Sequence, residues 1–223
     1  MDETSKSKKH WGAKEWAILS GKGIDIGSGP DPITPEARAF DVQDGDANVI
    51  TQYVHDQFDF VYSSHCLEHM NNPRSALREW WQLVKPGGHL FFIVPDEDLY
   101  EQGVFPSRFN RDHKATFTIC KAHSWSPASY NVLDLARELP GGRLVSVVLQ
   151  DQGYDRTLLR HGATSRGGPL IRFIARQYNS LKKRLHIRIR ALERAIERRV
   201  PVDQTSTHGA SAQIECIVQK LAS

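Results

Sequence analysis

Cysteine, methionine and long apolar runs are all scarce in this chain. Its 223 residues include three cysteines and two methionines. Cys66, Cys120 and Cys216 are far apart and odd in number. They imply neither a disulfide framework nor a metal knuckle, and they suit a reducing cytoplasm. No apolar run approaches the roughly 18 residues of a membrane span. The opening stretch, Met1 to His10, is polar and lacks a signal-peptide pattern, so it reads as a solvated leader. A formal net charge of +3 is too mild to name an acidic partner. What remains, 39% apolar and 25% charged residues, is ordinary for a globular protein with one full core and one sizeable elaboration.

What the chain does have is a strand that breaks into a glycine turn. Gly23-Ile24-Asp25-Ile26 sets branched aliphatics around one aspartate, and Gly27-Ser28-Gly29-Pro30 follows. This reads as a short buried strand entering a tight turn. Without a Cβ, Gly27 and Gly29 allow unusual dihedrals and let a ligand lie against bare amides. In an open parallel sheet, ligands sit beyond the carboxyl ends of the strands. Downstream come Gly45-Asp46-Ala47, Phe58-Asp59-Phe60-Val61-Tyr62-Ser63-Ser64, Leu67-Glu68-His69, Leu83-Val84-Lys85-Pro86-Gly87-Gly88-His89-Leu90 and Phe91-Phe92-Ile93-Val94-Pro95.

In this order, the motifs resemble those of the class I S-adenosylmethionine (AdoMet)-dependent methyltransferases, specifically the type 11-like small-molecule group. The resemblance implies an α/β fold, Rossmann-like, with a mostly parallel twisted sheet, an antiparallel last strand and AdoMet as cofactor. It implies that Gly27 and Gly29 face the methionine part of AdoMet, with Asp25 and Ser28 in the same turn. An acid closing the second strand, best matched by Asp41 with Asp44 as rival, would hold the ribose. Asp46 with Ala47 would read the adenine edge, and the segment after Tyr62, starting at Ser63, would line the path of the methyl group. Two features depart from the pattern. Pro30 and Asp31 stand where a third glycine is usual, and Gly29 and Asp46 are too close for a helix, a strand and a second helix between them. A helix needs about ten residues and a strand about five, and Pro30, Pro32 and Pro35 oppose helix in the gap. The first crossover is therefore expected to be lost or cut to a single turn.

The rest of the chain fits one domain, 1–223, with core elements in 11–150 and 209–222 and a basic amphipathic helical insertion at 160–200. Trp11 to Leu19 reads as a short helix, packing on the sheet or closing over the cofactor. Ala37 to Val42 reads as a strand. Ser75 to Val84 reads as a helix started by Asn71-Asn72-Pro73 and stopped by Lys85-Pro86-Gly87-Gly88. His89 to Val94 is a strand, and Pro95 to Ser124 is a long loop on the ligand side, read as a substrate lid. Ser126-Pro127 opens a helix through Leu139, and Leu144 to Gln150 and Ala212 to Leu221 are strands. Between those strands, apolar residues recur at helical spacing from Ile171 to Val200, opposite many arginines and lysines. That long helix from 168 to 200, with room for a kink, reads as a solvated face, as a homodimer or partner helix, or as a contact with an anionic membrane surface. Nucleic acid is disfavoured, because no aromatics interleave with the positive charge.

His65-Cys66-Leu67-Glu68-His69 fits the H-x-x-E-H pattern of inverted zinc peptidases. Zinc would require both histidines on one helical face, whereas this stretch directly follows a strand, so no metal is assigned. Glu68 and His69 instead belong at the strand-to-helix turn beside the cofactor, or serve as caps. Methyl transfer from a sulfonium asks the protein mainly for alignment. A hydroxyl acceptor also has to lose a proton, typically to histidine or a carboxylate. His113, His69 and Glu68 are the candidate catalytic groups. The expected function is AdoMet-dependent methylation of a small polar metabolite. A sugar hydroxyl of cell-surface glycan synthesis is favoured, because Asn110-Arg111-Asp112-His113-Lys114 resembles the loop of such enzymes. The rivals are a degenerate AdoMet-fold scaffold protein and a nucleic-acid methyltransferase.

Overall fold

Strand β1 (Gly23–Ile26) is buried along its whole length, as its flanking isoleucines dictate. It pairs in parallel with β2 (Arg38–Phe40) on one side and with β3 (Phe58–Ser64) on the other. The structure, a computed structural model, describes residues 3–162, 169–185 and 189–222. Next to β3 lies the parallel β4 (Val84–Pro95). A separate two-stranded sheet is formed by β5 (Thr116–Thr118) and β6 (Ser129–Asn131). The main sheet is completed by β7 (Gly142–Gln150) and β8 (Gln213–Lys220), in the order β2-β1-β3-β4-β8-β7. β8 runs antiparallel to both β4 and β7. The mostly parallel sheet with an antiparallel last strand is thus as expected.

Side chains alternate along β4 and divide the core into two layers. Leu90, Phe92 and Val94 join Trp80, Leu77 and Ile214 on one face. Phe91 and Ile93 join Phe60, Tyr62 and Ile217 on the other. Each such side chain contributes about 1.5–3 kcal/mol when fully buried. The second layer is closed by Trp11, whose ring lies 5.1 Å from Phe91 and 5.9 Å from Tyr62 and whose Nε1 donates to Glu215. Trp11 and the helix after it therefore pack on the sheet.

The segment before Trp11 is not a solvated leader. It forms helix α1 (Glu3–Lys8), with Ser7 wholly buried. Ser5 donates from its amide and hydroxyl to the two carboxylate oxygens of Asp31, at 2.7 and 2.6 Å. Helix α2 (Ala13–Ile18) follows. Between β1 and β2 there is no helix, as the prolines foretold, only turns. Ile33 plugs that shortened crossover, fully buried, and its amide donates to Asp25 at 2.7 Å.

Helix α3 (Pro73–Gln82) starts on Asn72, whose side chain accepts the Ser75 amide. Its Trp80 donates to the Ala47 carbonyl at 2.9 Å and so fixes the Asp46–Ala47 turn over the sheet edge. Beyond β4 the expected loop is more ordered than its lack of periodicity implied. Asp96 caps a turn at Glu97–Glu101. The buried Glu97 carboxylate accepts from Ser124, Ser129 and Lys121. That pull draws residues 129–131 into strand pairing with β5, so the helix expected from Ser126 begins later, as α4 (Val132–Arg137), capped by Asn131.

The expected long basic helix is two helices, α5 (Pro169–Leu185) and α6 (Arg190–Glu197), followed by the short α7 (Gln204–Thr207). The Ile189 amide, just before α6, donates to the Tyr178 hydroxyl of α5 at 2.7 Å. Ala175 and Tyr178 form the buried ridge of α5, whereas Leu170, Phe173, Ile174 and Leu181 are exposed. Residues 163–168 and 186–188, and the side chains of Arg172, Lys182, Lys183, Arg184 and Leu185, lie outside the described residues. No described helix is long and apolar enough to cross a membrane.

Candidate active site

β1, β3 and β4 end at one edge of the sheet, and the chain leaves each strand there through a tight turn. Gly27 sits at φ 74°, and its amide donates to the Phe40 carbonyl at 2.8 Å. A Cβ at Gly27 would come within 2.7 Å of the Cys66 side chain, so only glycine fits. Burial pushes the Cys66 thiol up to about 12, which makes it a packing group rather than a nucleophile. Gly29, also left-handed at φ 53°, faces open space and donates its amide to Asp41 at 2.8 Å.

The two rival acids take different parts. Asp41 lines a cavity of about 620 Å³ together with Gly27, Asp46, Ala47, Tyr53 and Met70. Asp44 stands behind it and accepts the Asp41 amide at 2.8 Å, closing the turn. Asp46 caps the turn beginning at Ala47 by accepting from Asn48, and those bonds hold its carboxyl below the usual range.

Asp25 and Ser63, two of the cofactor candidates, line no described cavity. Asp25 is buried under the crossover and bonded to Ile33. Burial outweighs that bond and nearby Lys8, and lifts its carboxyl to about 7. Ser63 is buried and donates to the Ile26 carbonyl at 2.9 Å. Both hold the end of β1 in place rather than facing a ligand. Ser28 and Gly29 line a second cavity, of about 480 Å³, which shares Gly27, His65 and His69 with the first.

Glu68, His69 and His113 meet at that junction. After β3, His65 takes a left-handed φ of 53°, and its amide donates to the Ile93 carbonyl, keeping the chain on the sheet. Leu67–His69 then forms one 3-10 turn, which swings Glu68 fully inward. The Glu68 carbonyl accepts the amides of Lys114 and Ala115, at 2.8 and 3.2 Å, and so pins the loop carrying His113. Burial alone would raise the Glu68 carboxyl. The His65 contact at 3.2 Å, with the charge that His65 carries when both its nitrogens donate, reverses that and holds it below its ordinary value.

His65 itself is committed elsewhere. Gln150 donates to Glu215, Gln213 donates to Gln150, and the remaining Gln213 oxygen lies 2.9 Å from His65 Nε2. This amide chain obliges His65 Nε2 to donate. The H-x-x-E-H stretch is thus no pair of histidines on one helical face.

His113 is buried with its Nδ1 2.7 Å from Glu101 Oε1 and its Nε2 3.9 Å from Glu68 Oε1. Its ring lies 5.0 Å from that of His69 and 5.4 Å from that of Tyr100. His69 Nδ1 lies 3.2 Å from the Asp112 carbonyl. In both histidines Nδ1 faces an acceptor, which leaves Nε2 with a lone pair. The sequence reading missed Glu101. It lies in a stretch with no periodicity, and only its four-residue spacing from Glu97 marked it.

The methyltransferase-domain family matches this chain over residues 12–161, and the chain belongs to that family. Its class uses AdoMet, and the site fits that cofactor: glycines that put no side chain into the turn, an acid closing β2, and an apolar wall from Tyr53 and Met70. The chain is 36% identical over 88 residues to a ubiquinone biosynthesis O-methyltransferase of Cronobacter sakazakii, covering 36% of this chain and 34% of that protein. A Pseudomonas putida protein of the same name is 32% identical over 78 residues, covering 31% of this chain and 32% of its own length. These matches span about a third of the relatives' length. Among solved structures, a SAM-dependent methyltransferase from Archaeoglobus fulgidus shares the fold, with a TM-score of 0.50, 15% identity, and coverage of 99% of this chain and 95% of that one.

Proposed function

We propose that this protein transfers the AdoMet methyl group to a hydroxyl of a small polar metabolite, with a sugar hydroxyl of glycan synthesis as the finer expectation. The observation that carries the reading is the junction at Gly27 and His69, where a cavity fitted to AdoMet opens into a polar one edged by Glu68 and His113. The cofactor supplies a methyl group already activated by its sulfonium. Asp41 would hold the ribose, Asp46 and Ala47 the adenine, and Gly27, Ser28 and Gly29 the methionine end. Tyr100 and Phe109 wall the second cavity, where the acceptor would lie with its hydroxyl toward the Glu68–His69–His113 cluster. That cluster removes the acceptor's proton, most simply to Nε2 of His113, while Glu101 holds Nδ1. The relatives named as O-methyltransferases support oxygen as the atom methylated.

The test pairs calorimetric titration of AdoMet with methyl transfer from labelled AdoMet to a panel of sugars, phenols and amines. Binding of AdoMet with transfer to a hydroxyl is the expected result. AdoMet binding with transfer only to amines would remove the hydroxyl reading, and no AdoMet binding would leave the scaffold alternative.

A second reading concerns partners. Leu170, Phe173, Ile174 and Leu181 are exposed on α5 beside exposed Arg176, which supports a docking face for a second copy, a protein partner or an anionic membrane. Three free cysteines, with Cys216 buried, suit a cytoplasmic setting.

A further inference from the structure

We propose that Glu68, His69 and His113 bind one divalent transition-metal ion at the junction of the two cavities. One ligand atom from each lies within 4.8 Å of the others. Two imidazoles and a carboxylate form a donor set suited to first-row divalent ions such as zinc, cobalt, manganese or iron. An ion would draw the three atoms in to about 2.1 Å each.

Each donor is already oriented from behind. Glu101 Oε1 is 2.7 Å from His113 Nδ1, and the Asp112 carbonyl is 3.2 Å from His69 Nδ1. These contacts set the tautomers so that both Nε2 lone pairs are free, which is the arrangement carboxylates and carbonyls impose on metal-bound histidines. His65 Nδ1 is 3.2 Å from Glu68 Oε1. The other oxygen, Glu68 Oε2, is fully buried and makes no hydrogen bond among the described residues. A buried carboxylate oxygen without a partner is costly unless a cation meets it. Glu101 Oε2 is in the same condition one shell further out. The ligands come from the turn after β3 and the loop after β4, so no local motif announces them, and His65 of the H-x-x-E-H stretch is excluded by its bond to Gln213.

This inference rests on the proposed methyl transfer and changes how the proton leaves. The acceptor oxygen binds the ion, which lowers its pKa, and its proton passes to water. The oxygen–methyl bond then forms as the sulfur–methyl bond of AdoMet breaks, giving the methyl ether, S-adenosylhomocysteine and one released proton. With His113 as a ligand, direct proton transfer to its Nε2 is replaced.

The test titrates the chelator-treated full chain with Co²⁺, followed by visible absorption and calorimetry. One Co²⁺ per chain is expected, with affinity lowered about 100-fold or more in Glu68→Gln and His113→Ala, and about 10–100-fold in Glu101→Gln, the usual scale for an outer-shell partner. No uptake at millimolar Co²⁺, or uptake unchanged in both Glu68→Gln and His113→Ala, would overturn the site. Should those variants fail to fold by circular dichroism, X-ray absorption on the Co²⁺-loaded wild type decides, two imidazole nitrogens supporting the site and an all-oxygen shell overturning it. Full turnover by the chelated enzyme also overturns the inference while leaving direct transfer to His113 in place. Loss of AdoMet binding with Co²⁺ uptake intact strikes the proposed function and not the metal site.

Discussion

Glu101 Oε1 lies 2.7 Å from His113 Nδ1, with both side chains buried. The pair joins the turn after β4 to the loop that closes the second cavity. It makes Glu101 a positioning residue, since it acts on the acceptor only through the imidazole.

Replacing His113 with alanine is expected to lower turnover by about 100-fold or more, with AdoMet affinity unchanged. Glu101→Gln keeps the shape but no longer fixes the tautomer, so it should lower kcat with little change in the acceptor KM. Glu101→Asp should restore part of the loss. Steady-state kinetics with saturating AdoMet check this, and a change confined to KM would show that Glu101 is only part of the cavity wall.

Asp41 and Asp44 should separate cleanly in a titration of AdoMet. Asp41 lines the cofactor cavity, whereas Asp44 holds the backbone behind it. Asp41→Ala is expected to weaken binding by at least about tenfold, a loss of about 1.4 kcal/mol, and Asp44→Ala by less. Equal losses would mean that Asp41 acts only through the turn it shares with Gly29.

Stability should respond to pH through Asp25. Its folded carboxyl titrates near 7 against an ordinary 3.8 because it is buried. The neutral form is favoured in the fold, so its contribution is complete below about pH 4 and is lost as pH rises through 7. Asn at this position can still accept the Ile33 amide without a charge to desolvate. Asp25→Asn should therefore match the wild type in thermal melts at acid pH and exceed it above neutrality, by at most about 4 kcal/mol on the linkage scale. A difference independent of pH would refute the account.

The exposed face of α5 gives a fourth expectation. Phe173→Asp with Leu181→Asp should leave the fold intact, since both side chains are exposed, and should abolish any dimer or vesicle binding seen with the wild type. Light scattering and co-sedimentation with anionic vesicles report the two outcomes separately. A wild type that is monomeric and ignores vesicles would leave the face solvated.

The parallel sheet and its glycine turn were legible because β1 and β4 are apolar runs bounded by glycine or proline and β3 is an apolar run with a polar exit, all local signals. The lost crossover was legible from Pro30, Pro32 and Pro35. The sequence also pointed to Glu68, His69 and His113 as a group. The remainder depends on contacts between distant residues. Nothing near Ser126 shows that Glu97 will capture Ser129 and delay α4 to Val132. Asp25 looked like a ligand residue beside Gly27, and only the return of Ile33 over it shows that the carboxylate is occupied. The periodicity from Ile171 to Val200 is real, yet helical spacing does not tell one rod from two helices, α5 and α6, tied by the bond from Ile189 to Tyr178.

Helix α1 has a practical consequence for anyone handling this protein. Ser5 is bonded to Asp31 in the shortened crossover, and Thr4 forms part of the wall of the second cavity. A fusion placed ahead of Thr4 therefore hangs beside the wall of the second cavity, where the proposed acceptor would lie. It should slow acceptor entry while AdoMet binding at Gly27 and Asp41 is untouched. Lys220, at the end of β8, pairs with Gly142 and donates to the Val84 carbonyl at the start of β4, the opposite rim of the sheet. An affinity handle attached beyond Lys220 keeps clear of the second cavity, so kinetic constants measured on such a protein describe the enzyme rather than its tag.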